Sequence, residues 1–180
     1  PIRRICKKQT EVILLYAHTG GVFVNTYEKL QNEACNDGID VISYSFNSQK
    51  IKGLYCDGTI AISSGIKTDI ERACILAEEL GHHYTTYGNI ANQKDTQNRK
   101  QELRARLYGY DMQIGLIGIV ECYKHHCRSL YEMAEYLQVT EEYLKEALEC
   151  YSRKYGENLV TIDNYAIRLV PSLQVMEFWK

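Results

Sequence analysis

The chain carries almost no net charge: 21 lysines and arginines against 23 aspartates and glutamates give −2 at pH 7 over 180 residues. That balance gives no reason to expect broad electrostatic attachment to nucleic acid or to an acidic membrane. No apolar run approaches the roughly 20 residues that a membrane-spanning helix needs. Linker-like repeats are missing from the polar stretches. The basic residues 1–10 lead only into a short apolar patch broken by His18 and Gly20-Gly21, so no secretory leader is expected. Seven cysteines (Cys6, Cys35, Cys56, Cys74, Cys122, Cys127, Cys150) lack zinc-ribbon spacing and are odd in number. Reduced thiols in a cytoplasm are the expectation.

What remains is the composition of a globular protein, 45% hydrophobic and 24% charged. The length suits one domain, or a domain with a helical unit attached. Residues 1–25 differ from the rest of the chain and read as an N-terminal extension, residues 26–117 as the core, and residues 118–180 as a helical region with a strand-like tail. Tyr27, Leu30 and Ala34 recur at helical spacing, with a stop at Asn36-Asp37-Gly38. Residues 39–46, 51–55 and 59–63 read as strands, the last two joined by the hairpin signal Cys56-Asp57-Gly58.

Thr68-Asp69-Ile70-Glu71 fits a capping box, in which the threonine side chain and Glu71 reciprocally satisfy free backbone donors. The helix it opens carries Ala73, Leu76, Ala77 and Leu80 on one flank and is expected to end at Gly88-Asn89. A polar loop over residues 92–98 leads to a second amphipathic helix, with Leu103, Leu107, Tyr110 and Ile114 as its apolar stripe.

Within the first helix lies Ala77-Glu78-Glu79-Leu80-Gly81-His82-His83. It reads as the zinc-protease pattern H-E-x-x-H with Glu78 in place of the first histidine. Glu78 and His82, four residues apart, lie one above the other on one helix face. Glu79 occupies the position of a general base. Zinc accepts carboxylate oxygen as well as imidazole nitrogen, and a hydrolytic site keeps one position for water. Glu102, on the next helix, is the candidate third ligand. The bland alternative is a solvated acidic face, with Glu102 simply paired to Arg106 at i+4.

Three stretches resemble the ImmA/IrrE family of bacterial and phage metallopeptidases. Cys74-Ile75-Leu76-Ala77-Glu78-Glu79-Leu80-Gly81-His82-His83-Tyr84 is similar to the family's active-site helix. Arg99-Lys100-Gln101-Glu102-Leu103-Arg104-Ala105-Arg106 resembles the helix that supplies its third ligand. Ile51-Lys52-Gly53-Leu54-Tyr55-Cys56-Asp57-Gly58-Thr59-Ile60-Ala61-Ile62 resembles its central hairpin. The likeness runs over about residues 26–156.

The resemblance implies an α+β, zincin-like core with a small three-stranded sheet. It assigns His82 and Glu102 to the metal and Glu79 to catalysis, and it places Glu78 where the family has a metal-binding histidine; His83, read from spacing alone, is a structural residue or one behind the ligands. Zinc is the implied ion, with manganese or another divalent cation as the alternative, since carboxylates suit a harder ion. Glu79 would take the proton of a metal-polarised water and pass it to the departing amine. The implied activity is limited proteolysis of a helix-turn-helix repressor, encoded by a phage or other mobile element. A catalytically impaired protein that keeps the repressor contact is the alternative.

Two further patterns compete for attention. Cys122, His125 and His126, with Cys127 adjacent, form a rival metal set on paper; a polar helix face with a buried cysteine is favoured. Residues 130–148 pattern as two helices with a turn at Leu137-Gln138-Val139-Thr140, resembling a helix-turn-helix. The second of these is acidic, carrying Glu141, Glu142, Glu146 and Glu149, so phosphate contacts and direct nucleic-acid binding are not expected. The tail from Leu159 to Leu169 alternates like a strand and then meets Pro171.

Overall fold

The computed structural model describes residues 25–86 and 96–178. The extension expected over residues 1–25 lies outside them, save for Asn25. The first helix among the described residues, α1 (Thr26–Asn36), starts where the Asn25 side chain accepts the Tyr27 N–H at 3.0 Å. It buries Leu30 and Ala34.

Strands β1 (Asp40–Tyr44), β2 (Gly53–Cys56) and β3 (Thr59–Ser63) come next and form one sheet in the order β1-β3-β2. β1 runs parallel to β3 and β2 antiparallel to it. Asp57 and Gly58 both take positive φ, +45° and +80°, as a tight two-residue hairpin requires. Along β3 the alternation is clean: Ile60 and Ile62 are buried and their neighbours are not.

α2 (Asp69–Thr85) is the central element. Thr68 caps it, its Oγ1 accepting the Glu71 N–H at 3.3 Å. The reciprocal half of the expected capping box is replaced: the Glu71 carboxylate pairs with Lys52 Nζ at 2.7 Å. Lys52, just ahead of β2, offers a full positive charge where a capping box offers one amide. The helix ends at Thr85, ahead of Gly88-Asn89, which lie outside the described residues.

α3 (Thr96–Gln113) is already helical at Thr96, so the loop expected over residues 92–98 is shorter at that end; its earlier part lies outside the described residues. The expected apolar stripe of α3 also needs correction. Tyr110 and Ile114 are fully buried, but Leu103 is exposed and the buried face runs through Ala105 and Gly109. Close approach to α2 explains the choice of small residues. A Cβ on Gly109 would lie 2.8 Å from the Ala77 carbonyl oxygen, and one on Gly81 would collide with that of Ala105. Gln113 Nε2 donates to the Ala73 carbonyl at 2.7 Å. Ala73, Ala77 and Gly81 thus face Gln113, Gly109 and Ala105 in an antiparallel seam with a four-residue repeat, the spacing of one helix face.

Gly115, at φ +55°, turns the chain sharply into α4 (Gly115–Lys124). α5 (Leu130–Leu137) and α6 (Glu141–Tyr155) are joined by Gln138 in the left-handed region and by Thr140, which caps α6. The tail is more than one strand: β4 (Val160–Ile162), β5 (Tyr165–Arg168) and β6 (Gln174–Glu177) form a second antiparallel sheet with β5 in the middle.

Two apolar clusters result. One joins α1, the first sheet and α2 through Leu30, Ile60, Ile62, Leu76 and Leu80. The other gathers α3 to α6 and β5 around Tyr110, Ile119, Leu144, Tyr151 and Ile167. α2 touches both, since Cys74 belongs to the second. Among the described residues no helix is long and apolar enough to cross a membrane.

Candidate metal centre

The small-residue seam between α2 and α3 is what assembles the site. With Gly81 against Ala105, the next side chains along, His82 and Glu102, come together: His82 Nε2 lies 3.6 Å from Glu102 Oε2. Two donors bonded at ~2.1 Å to one tetrahedral ion are about 3.4 Å apart, so this is close to ligand spacing. The other imidazole nitrogen, Nδ1, is 3.2 Å from Thr86 Oγ1. A hydrogen bond there fixes the ring and leaves Nε2 for a ligand. Burial lowers the His82 pKa, with the Glu102 carboxylate opposing. The imidazole is therefore neutral at pH 7, the form that binds a metal.

Glu79 sits one helix position from Glu78, under β2. Its carboxyl group is pushed up to about 7, first by burial and then by the Glu78 carboxylate, with a hydrogen bond from the Tyr55 backbone acting the other way. Gly53 makes room for it: a Cβ there would lie 2.7 Å from Glu79 Oε1 and 2.6 Å from Ile75 Cγ2. A carboxyl group poised near neutrality is what general-base work at pH 7 needs.

Glu78 is largely buried as well, and burial raises its pKa, with Arg106 opposing. It shares the helix face of His82 but has no ion pair with any described residue within 4.0 Å. Among the described residues no three His, Cys, Asp or Glu side chains are grouped closely enough to hold a metal. By donor type an imidazole and two carboxylates suit a divalent ion; His82 and Glu102 already stand at ligand spacing, and Glu78, on the same helix face, is not grouped with them.

His83 points elsewhere. Its Nδ1 is 2.9 Å from the Tyr55 hydroxyl, and its ring stands edge-on to Tyr55 and Tyr84 at 5.1 and 4.8 Å. It therefore braces β2 against α2. The Cys122 set does not form a site either. Burial, then Cys127, pushes the Cys122 thiol up to about 12, so it stays protonated. α4 stops at Lys124, leaving His125 stacked on Tyr136 at 4.4 Å and His126 at positive φ.

Two contributors were not assigned a role from sequence. Gly53 had a signal, since a glycine within a strand marks a close approach. Tyr55 had none, because its part is played by a backbone amide. Arg106 was visible as an i+4 partner of Glu102, and it makes that bond, Nε to Oε1 at 2.9 Å. Its second contact, Nη1 to Glu146 Oε2 at 3.6 Å, reaches across to α6 and depends on the tertiary fold.

The model of one protein family, Peptidase_M78, the IrrE N-terminal-like domain, matches residues 34–149. That span runs from the end of α1 into α6 and contains every residue of the site. No curated protein and no solved structure matches the chain. With well over half its length matched, the chain belongs to the IrrE N-terminal-like peptidase family, a metallopeptidase-type family.

Proposed function

We propose that the chain is a metal-dependent endopeptidase of a zincin-like fold that cuts a helix-turn-helix repressor in the cytoplasm of a host carrying a phage or other mobile element. The observation that carries the reading is the pair His82 and Glu102 at 3.6 Å, with Glu79 poised at about pH 7 beside it. His82, Glu102 and Glu78 would hold zinc, or manganese, which carboxylates suit. The ion supplies a Lewis acid and an acidified water.

The chain's own groups do the rest. Glu79 accepts a proton on its carboxylate and returns it to the leaving nitrogen. Tyr55, through its backbone, keeps that carboxylate in place. Among the described residues β2 is an edge strand of its sheet. Ser63 donates to the Lys52 carbonyl at 2.8 Å, so by antiparallel alternation Leu54 and Cys56 face β3 while Gly53 and Tyr55 face the open edge. An extended peptide pairing with that edge through the Gly53 backbone and the Tyr55 carbonyl, the Tyr55 N–H being taken by Glu79, would pass beside Glu79.

The test is incubation of the metal-loaded protein with the repressor encoded beside it, followed by mass spectrometry of the fragments. A single dominant cut is expected, abolished by a chelator and reduced about a hundredfold or more by Glu79→Gln. Undiminished cutting by that variant would contradict the assignment. A second reading, a binding protein that contacts the repressor without cutting it, is favoured by Glu78 standing where an imidazole is usual and by Arg106 holding Glu102. Stable repressor binding by the metal-loaded chain without fragments would select it.

A further inference from the structure

We propose that Arg106 competes with the divalent ion for Glu102, and that Glu146 on α6 sets how hard it competes. The inference rests on the metal-site reading above. Glu102 divides its two oxygens: Oε1 takes Arg106 Nε at 2.9 Å, and Oε2 faces His82 Nε2 at 3.6 Å. The same guanidinium reaches Glu146 Oε2 with Nη1 at 3.6 Å. That oxygen is itself held by the Tyr110 hydroxyl, which donates to it at 3.0 Å from a buried ring. A line of contacts therefore runs from the core of the helical unit to the candidate ligand: Tyr110, Glu146, Arg106, Glu102.

Charge gives the line its consequence. With Glu78 in place of a neutral imidazole, three carboxylates (Glu78, Glu79 and Glu102) gather where the family resemblance places two. The guanidinium of Arg106, 2.9 Å from Glu102 Oε1, is the cation paired with one of them. A divalent cation arriving among them meets a like charge already bonded to one of its ligands. At separations of ~6 Å and solvent-like screening, that opposition is worth about ten- to a hundredfold in affinity. Glu146 draws the guanidinium outward and so lessens the competition. Removing the two partners must therefore move metal affinity in opposite directions.

The experiment is titration of the metal-free, full-length protein with zinc ions against a chromophoric chelator, for the parent, Arg106→Gln and Glu146→Gln, with far-UV circular dichroism on each. Arg106→Gln is expected to bind zinc about tenfold or more tightly, and Glu146→Gln several-fold more weakly. A guanidinium that merely orients Glu102 would give the reverse for Arg106→Gln, weaker binding, and this overturns the inference while leaving the metal site intact. Glu146 is half exposed, so its variant tests the sign even if Arg106→Gln fails to fold. Unchanged or tighter binding by Glu146→Gln also overturns it. Zinc binding by none of the three proteins would overturn both this inference and the metal-site reading beneath it.

Discussion

At the scale of single residues the site is a problem of buried charge. Glu79 has an ordinary carboxyl pKa of 4.5 when exposed and one of about 7 in the fold, so the folded state holds its proton more tightly. Stability from that preference is fully present below pH 4.5 and is lost as pH rises through about 7. The loss is on the order of 3 kcal/mol at most, from the value of one pKa unit. The metal-free protein should therefore show a lower urea midpoint at pH 8 than at pH 5. Glu79→Gln should flatten that decline; Glu78 and Asp111, whose pKa values are also raised, act in the same direction, while His82, whose pKa is lowered, acts against them. An equally steep decline in the variant would show that Glu79 ionises normally. Gly53 makes a related prediction. Gly53→Ala pushes a methyl group into Glu79 Oε1, so it should lower turnover while leaving zinc affinity within about threefold, as measured by chelator competition.

At the scale of elements the decisive feature is the seam between α2 and α3. Gly81→Ala must part the helices at Ala105, and overpacking of this kind costs about 3 kcal/mol or more when backbone is the obstacle. A denaturant midpoint for Gly81→Ala close to that of the parent would mean that the seam has slack. The same substitution separates His82 from Glu102, so weaker zinc binding should accompany the loss of stability. This seam is also where sequence reading reached its limit. Both helices, the hairpin turn at Asp57-Gly58 and the cap at Thr68 are local features, and local spacing and turn chemistry displayed them. On α3 the apolar stripe marks the side facing the second cluster, where Leu107, Tyr110 and Ile114 pack, whereas the contact with α2 selects alanine and glycine, which an apolar stripe does not display. The approach of Glu102 to His82 was nonetheless legible, from the motif in α2 and the resemblance around Glu102. Its bond to Arg106 was legible from i+4 spacing, but the reach to Glu146 was not, because Glu146 lies 40 residues further along the chain.

At the scale of the molecule, α2 and α3 tie two apolar clusters into one unit. Leu144→Ala, in the cluster remote from β2, removes a side chain with no exposure and should cost about 2–5 kcal/mol. Because Cys74 on α2 shares that cluster, the loss should appear in one cooperative transition, seen alike by far-UV and near-UV circular dichroism. Two separated transitions would show that the clusters unfold independently. Ligand linkage acts on the same whole: zinc that binds only the folded chain should raise its melting temperature, by about 2.7 kcal/mol of stability at a hundredfold excess over Kd, and a chelator should reverse it. The most direct measurement is elemental analysis of the purified protein beside His82→Ala. The account predicts one tightly held divalent ion per parent chain and its loss from the variant. Full occupancy in His82→Ala, or a parent chain that neither carries nor takes up a divalent ion, would contradict it.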